Sequence, residues 1–195
     1  PFVFLSPALS AETITRILEE TGSSILAIGH GLEHFPELPH TDWLKEHGLE
    51  QISLDNVPRT GNPSAHESTA TADSLAYIVF TSGSTGIPKG VPQTHKNVLA
   101  DIQRQSRDLL VTTQDRYGLL FPLGSSAAIC HLGGALLNGA TLCPIDFRHS
   151  NLEDLADWLI QKAVTILDIN VSTFRELART LPIGQNFPDL RLLSP

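Results

Sequence analysis

The sequence contains no methionine, only two cysteines and no run of basic residues. Two cysteines, Cys130 and Cys143, cannot form a disulfide framework, and neither has partners at metal-ligand spacing. They read as reduced, packed thiols of a cytoplasmic protein. Positive charge is also short: 13 Lys and Arg stand against 21 Asp and Glu, a formal charge of -8. A net anion repels phosphate backbones, and no basic–aromatic cluster offsets this locally, so no nucleic-acid partner is expected.

Charge is missing altogether from Tyr117 to Ile145. A membrane-spanning helix needs about 20 predominantly apolar residues without interruption. Here Pro122, Gly124, Gly133, Gly134, Gly139 and Pro144 punctuate the stretch, and His131 and Asn138 lie within it. A buried strand, turn, helix and strand explain it better, so no membrane partner is expected either. No basic segment precedes an apolar one near the start, as a signal peptide would require. Pro1–Leu5 reads as the end of one strand and Leu190–Leu193 as another that has barely finished. That pattern predicts a piece of a longer polypeptide, truncated at both ends.

What is present suits a buried core: 41% of residues are hydrophobic and 17% charged, with a mean hydropathy of +0.01. Helix and strand signals alternate. Ser10 can cap a helix carrying Ile14, Ile17 and Leu18 on one face, and Gly22 sits where it would stop. Residues 24–28 read as a strand, 41–47 as a short helix, and 56–73 as a loop rich in Pro, Gly, Ser and Thr. Residues 75–80 form the strongest strand, followed by a Gly-rich turn at 82–90 and a helix over 96–110. Beyond it come a strand (117–121), a helix (125–137), a strand (140–145) and an amphipathic helix capped by Asn151 (152–163), with Leu155, Leu159 and Ile160 inward. A strand (165–169), a helix from Ser172 and a final strand complete the chain. The pattern predicts an α/β fold, doubly wound, its mostly parallel sheet covered by helices on both faces.

One stretch carries chemistry: Thr81-Ser82-Gly83-Ser84-Thr85-Gly86-Ile87-Pro88-Lys89-Gly90-Val91. Glycine lets a backbone come close to a ligand without a clashing Cβ. Four hydroxyls and several free amides suit a nucleotide's phosphate tail, and Lys89 adds a mobile cation for departing pyrophosphate. This is not G-x-x-x-x-G-K-[ST], because Pro88 stands where the second Gly belongs. Nor is it G-x-G-x-x-G.

Residues 78–89, with flanking Leu75-Ala76-Tyr77 and Val91 through His95, resemble the AMP-binding signature of adenylate-forming enzymes. That superfamily includes acyl-CoA synthetases, fatty-acyl-AMP ligases and the adenylation domains of nonribosomal peptide synthetases. Weaker resemblance covers Phe2–Gly29, Leu137-Asn138-Gly139-Ala140-Thr141-Leu142 and Phe187–Leu193, so the chain looks like part of the family's large N-terminal domain. The resemblance implies that a carboxylate attacks the α-phosphate of ATP, giving acyl-AMP and pyrophosphate. A thiol, from CoA or from phosphopantetheine on a carrier-protein domain, then accepts the acyl group. It also implies that Thr81, Ser82, Gly83, Ser84, Thr85, Gly86, Lys89 and Gly90 line the phosphates, with Lys89 catalytic and Thr85 a neighbour of Mg²⁺. The family's later adenine-, ribose- and metal-binding segments and its mobile C-terminal domain do not occur in these 195 residues. The rival reading is a non-catalytic nucleotide-binding or carrier-partner domain that keeps the loop.

The same resemblance places Phe121, Ser125 and Ser126 at the acyl pocket. Peptide-synthetase domains resemble "F-D-x-S" here and many acyl-CoA synthetases "P-L-x-H", yet this chain has neither the Asp nor the His. An ammonium group removed from water needs an anionic partner. With no acid between Arg116 and Asp146, an ordinary α-amino acid is not the expected substrate. Of the histidines, His30, His34 and His40 read as solvated, His95 as a packing or backbone-bonding residue at a helix start, and His131 as a hydrogen-bonded core residue. Asp146 reads as a cap for the turn after Pro144.

Overall fold

Parallel pairing dominates the computed structural model, which describes residues 1–6, 9–29, 38–57, 69–82, 88–145 and 151–194. The chain runs β1 (Phe2–Val3), α1 (Ala11–Thr21), β2 (Ile25–Ile28), α2 (Thr41–Glu46), β3 (Glu50–Ser53), β4 (Leu75–Ser82) and β5 (Pro88–Thr94). It continues with α3 (His95–Asp108), β6 (Arg116–Leu119), α4 (Ser126–Leu136), β7 (Thr141–Pro144), α5 (Leu152–Gln161), β8 (Ile166–Asp168), α6 (Val171–Thr180) and β9 (Leu192–Ser194). Among the described residues the strands form three sheets, ordered β1-β4-β5, β2-β3 and β7-β6-β8-β9. Among the described residues only β4 and β5 pair antiparallel.

The four-stranded sheet is covered on both faces, and its residues alternate accordingly. Tyr117 and Ile166 pack with Ala135 of α4, whereas Leu167 packs with Leu155 and Leu159 of α5 and Leu177 of α6. Gly118 lets Trp158 settle on that second face. A Cβ at Gly118 would lie 2.8 Å from Leu167 Cδ1 and 3.3 Å from the Trp158 ring. The doubly wound α/β fold is thus present. Helix termini form where the capping rules put them: Ser10, Ser125 and Asn151 each accept a backbone N–H, and Gly22 adopts the left-handed conformation with φ of 57°.

Three expectations need correction. The Gly-rich turn does not lead directly into a helix; β5 intervenes and folds back on β4. Its sequence, with Pro88, Gly90 and Pro92, looks unlike a strand, but an edge strand tolerates proline because one side needs no donors. A second unexpected strand, β3, pairs with β2 although its residues are mainly polar. Ile160 is 41% exposed rather than inward, since Leu155, Ala156 and Leu159 complete the buried stripe of α5. Most of the 56–73 loop, together with His30, His34 and Asp146, lies outside the described residues.

The amino ends of the parallel strands are tied by one carboxylate. Asp115, 3% exposed, receives Arg191 Nε and Nη2 at 2.8 Å each, Thr165 Oγ1 at 2.7 Å and the Thr112 amide at 2.8 Å. Arg191 Nη2 also donates to the carbonyls of Leu109 and Leu110 at 3.1 and 2.9 Å. The guanidinium, aided by these hydroxyl and amide donors, holds the Asp115 carboxyl well below the usual carboxylate range. Breaking a fully buried ion pair costs about 3–5 kcal/mol. Arg191 is 39% exposed, so solvent screening reduces this to about 2–3 kcal/mol. Asp115→Asn is therefore expected to lower unfolding stability by that amount in a denaturant titration. Because the folded-state pKa is depressed, the contribution is complete above the unfolded carboxyl value of about 3.9 and fades as pH falls below it. The acid-induced loss of stability should be smaller in the variant; equal acid sensitivity would remove Asp115 from this role.

Close packing of α3 on α4 depends on Gly133. A Cβ there would lie 2.3 Å from Ile102 Cδ1 and 3.0 Å from Cγ1. Gly133→Ala should cost about 1–3 kcal/mol through overpacking. Ile102→Val removes the clashing Cδ1, so the double variant should be more stable than Gly133→Ala alone. Additive losses would contradict this packing account.

Candidate functional site: a hairpin stem and the carboxyl edge of the parallel sheet

The hydroxyl- and glycine-rich segment is carried on an antiparallel stem. Thr81 pairs with Lys89 and Ser82 with Pro88, preceded by Phe80 opposite Gly90 and Val79 opposite Val91. Gly83, Ser84, Thr85 and Gly86 lie outside the described residues. Directly opposed residues share a face of an antiparallel pair. Lys89 and Thr81, both exposed, therefore lie on the same face as Tyr77. Gly90 lies on the other face, where an added Cβ would meet Phe80 Cζ at 3.1 Å and Ile78 Cγ2 at 3.2 Å. Glycine at 90 thus leaves room for the Phe80 ring.

The stem is anchored at its base. Thr94 caps α3 by accepting the Asn97 amide at 3.3 Å, and the His95 amide donates to the Ser74 carbonyl at 3.0 Å.

Tyr77 connects this stem to α4. Its hydroxyl lies 3.2 Å from Ser126 Oγ, and burial pushes its phenol pKa up. Ser125 is the cap of α4, accepting the Ala128 amide at 3.2 Å. Ser126 and Ser125 thus already have protein partners. Phe121, which follows β6, packs edge-on against His131 with ring centroids 5.1 Å apart. Phe121, Ser125 and Ser126 gather around the entry to α4. The four residues from Tyr77 to Thr81 place Lys89 about 13 Å farther along the stem, at the rise of an extended strand.

Asp168 joins this region without a warning from local spacing. It ends β8, and its Oδ2 lies 3.0 Å from Nε2 of His131, which is only 1% exposed. His131 is the hydrogen-bonded core residue expected, but its partner comes from a strand 37 positions away. Asp168 lies outside the uncharged stretch 117–145. The available signal was one charge closing the apolar run Ile166-Leu167-Asp168. Burial pushes the Cys130 thiol up, which disfavours thiolate chemistry there, and Cys130 and Cys143 are both unpaired.

Among the described residues, no group of three or more His, Cys, Asp or Glu could hold a metal ion. Nor is any described helix long and apolar enough to cross a membrane.

Comparison with known proteins agrees with the fold. Tyrocidine synthase 2 of Brevibacillus parabrevis is 30% identical over 171 residues, covering 86% of this chain and 4% of the synthase. The N-terminal domain of FACL13 from Mycobacterium tuberculosis superposes with a TM-score of 0.79 at 21% identity, covering 97% of this chain and 48% of that one. O-succinylbenzoate coenzyme A synthetase (MenE) of Bacillus subtilis, solved with ATP and magnesium, gives a TM-score of 0.74 at 21% identity, covering 98% and 38%. The chain thus spans less than half the length of each of these proteins. The AMP-binding enzyme family matches residues 1–194, and the chain belongs to that family.

Proposed function

We propose that this chain supplies the ATP-phosphate loop of a longer enzyme that activates a carboxylic acid as its acyl-adenylate. The observation that carries the proposal is the hairpin stem setting Lys89 opposite Thr81 at the ends of a Gly-, Ser- and Thr-rich loop, in a chain of the AMP-binding family. In the proposed reaction a carboxylate oxygen bonds to the α-phosphorus of ATP. The bond from that phosphorus to the bridging oxygen breaks, and pyrophosphate leaves with the electron pair.

Thr81, Ser82, Gly83, Ser84, Thr85, Gly86 and Gly90 would surround the phosphates, and Lys89 would stabilise charge on departing pyrophosphate. The described residues form no metal site of their own. Mg²⁺ is proposed to arrive on the nucleotide, with Thr85 as its neighbour, and to neutralise phosphate charge. A thiol of CoA, or phosphopantetheine on a carrier-protein domain, is proposed as the acyl acceptor. The cytoplasm is the proposed compartment, in keeping with two unpaired cysteines.

In the complete enzyme, Lys89→Ala should lower kcat for adenylation by about 10²–10³-fold, or about 2.7–4 kcal/mol, and weaken ATP binding less. Thermal melting should not change, because Lys89 is exposed. Lost stability with unchanged turnover would instead mark the loop as purely structural. The 195-residue chain alone is expected to show no acid-dependent ATP–pyrophosphate exchange, since it covers under half of FACL13's N-terminal domain. Exchange above background with any carboxylic acid would overturn that expectation.

A further inference from the structure

We propose that Asn138–Gly139 is a latent modification site, where the Asn138 side chain converts to aspartate or isoaspartate when the carboxyl end of α4 opens. The inference is independent of the adenylation reading.

The sequence makes this pair reactive. Of the chain's asparagines, Asn138 alone precedes a glycine. An asparagine is open to attack by the main-chain nitrogen of the next residue, and a glycine there puts no Cβ in the way. In that step the Gly139 nitrogen bonds to Asn138 Cγ and the Cγ–Nδ2 bond breaks. Nδ2 leaves as ammonia, carrying the proton lost from the Gly139 nitrogen. Water then opens the five-membered imide at either carbonyl, giving aspartate or isoaspartate.

The fold requires both residues. Gly139 has φ of 72°, in the left-handed region, and a Cβ there would lie 3.0 Å from Thr113 Cγ2. It closes α4 in a turn where its own amide donates to the Leu136 carbonyl at 3.2 Å and the Ala140 amide to the Ala135 carbonyl at 2.9 Å. Asn138 Nδ2 donates to the Gly134 carbonyl and to Ser106 Oγ of α3, each at 2.7 Å. The Ser106 hydroxyl in turn donates to the Ile102 carbonyl at 2.7 Å. A carbonyl only accepts, so the amide nitrogen has to face Gly134, and a carboxylate cannot take its place.

The same contacts restrain the reaction. The leaving nitrogen is held by two acceptors, and the attacking nitrogen is engaged with Leu136. Asn138 is half-buried between exposed Leu137 and Gly139, so a local opening of this turn, short of global unfolding, admits water. The product does not fit back. An aspartate faces the Gly134 carbonyl without a proton to give, and an isoaspartate lengthens the main chain just before the strained glycine. Each opening therefore risks an irreversible loss of the link between α3 and α4.

The test follows conversion of the Asn138 peptide over time by mass spectrometry, with thermal melting alongside. The complete enzyme would be held at neutral pH in native buffer and in denaturant. Native wild type should convert more slowly than the denatured chain. In native buffer Ser106→Ala should convert about 2–10-fold faster than wild type, the change in open fraction on losing one hydrogen bond. In denaturant the two should convert equally, and Asn138→Asp should melt below wild type. Equal native rates for wild type and Ser106→Ala, a native wild-type rate matching the denatured one, or wild-type melting of Asn138→Asp would overturn the proposal. Should Ser106→Ala fail to fold, wild type in rising denaturant carries the test. Conversion has to accelerate before the global transition, and conversion that tracks global unfolding alone would overturn the local opening.

Discussion

A parallel sheet has to gather strands that are far apart in sequence, and here the Asp115 carboxylate makes that gathering specific. It bonds residues before β6, before β8 and before β9, and through Arg191 it reaches the carbonyls just after α3. Leu110, whose carbonyl accepts one of those bonds, is held at φ 49°, a left-handed conformation that ordinarily disfavours a side chain. The bidentate guanidinium and the two threonines offset that local strain. Packing of Tyr117, Ile166 and Leu167 then follows in register, because the strands all start from the same fixed edge.

Much of this fold can be read from local chemistry. Ser10, Ser125 and Asn151 are short polar side chains ahead of apolar periodicity, and each one caps a helix. Buried parallel strands such as Ile166–Asp168 show themselves as brief apolar runs. The strands that sequence reasoning missed are those whose formation is decided by a partner. Glu50–Ser53 has little apolar character and gains its place by pairing with β2. Pro88–Thr94 contradicts strand propensity three times over and survives because β4 supplies the donors and acceptors on one side.

The candidate site divides in the same way. The stem residues Thr81, Lys89 and Gly90 could be found from composition, since glycine, hydroxyls and a lysine after a strand have few other uses together. Their opposition across a hairpin could not, because it depends on the unanticipated β5. His131 announced itself as a polar residue in an uncharged helix. Asp168 and Asp115 did not, since a single acid in a sequence says nothing about which distant strand or helix will meet it.

The two edges of the four-stranded sheet treat their carboxylates in opposite ways. At the amino edge Asp115 is enclosed and surrounded by donors, including a full positive charge, so it has no capacity left for a ligand. At the carboxyl edge Asp168 lies 3.0 Å from one ring nitrogen, that of His131, and its side chain keeps 27% of its surface toward solvent. Charge that serves stability is best neutralised within the protein, as it is at Asp115. The placement follows from strand direction. Amino ends can be locked together without obstructing a ligand, and carboxyl ends, where the crossover connections leave a crevice, have to remain open.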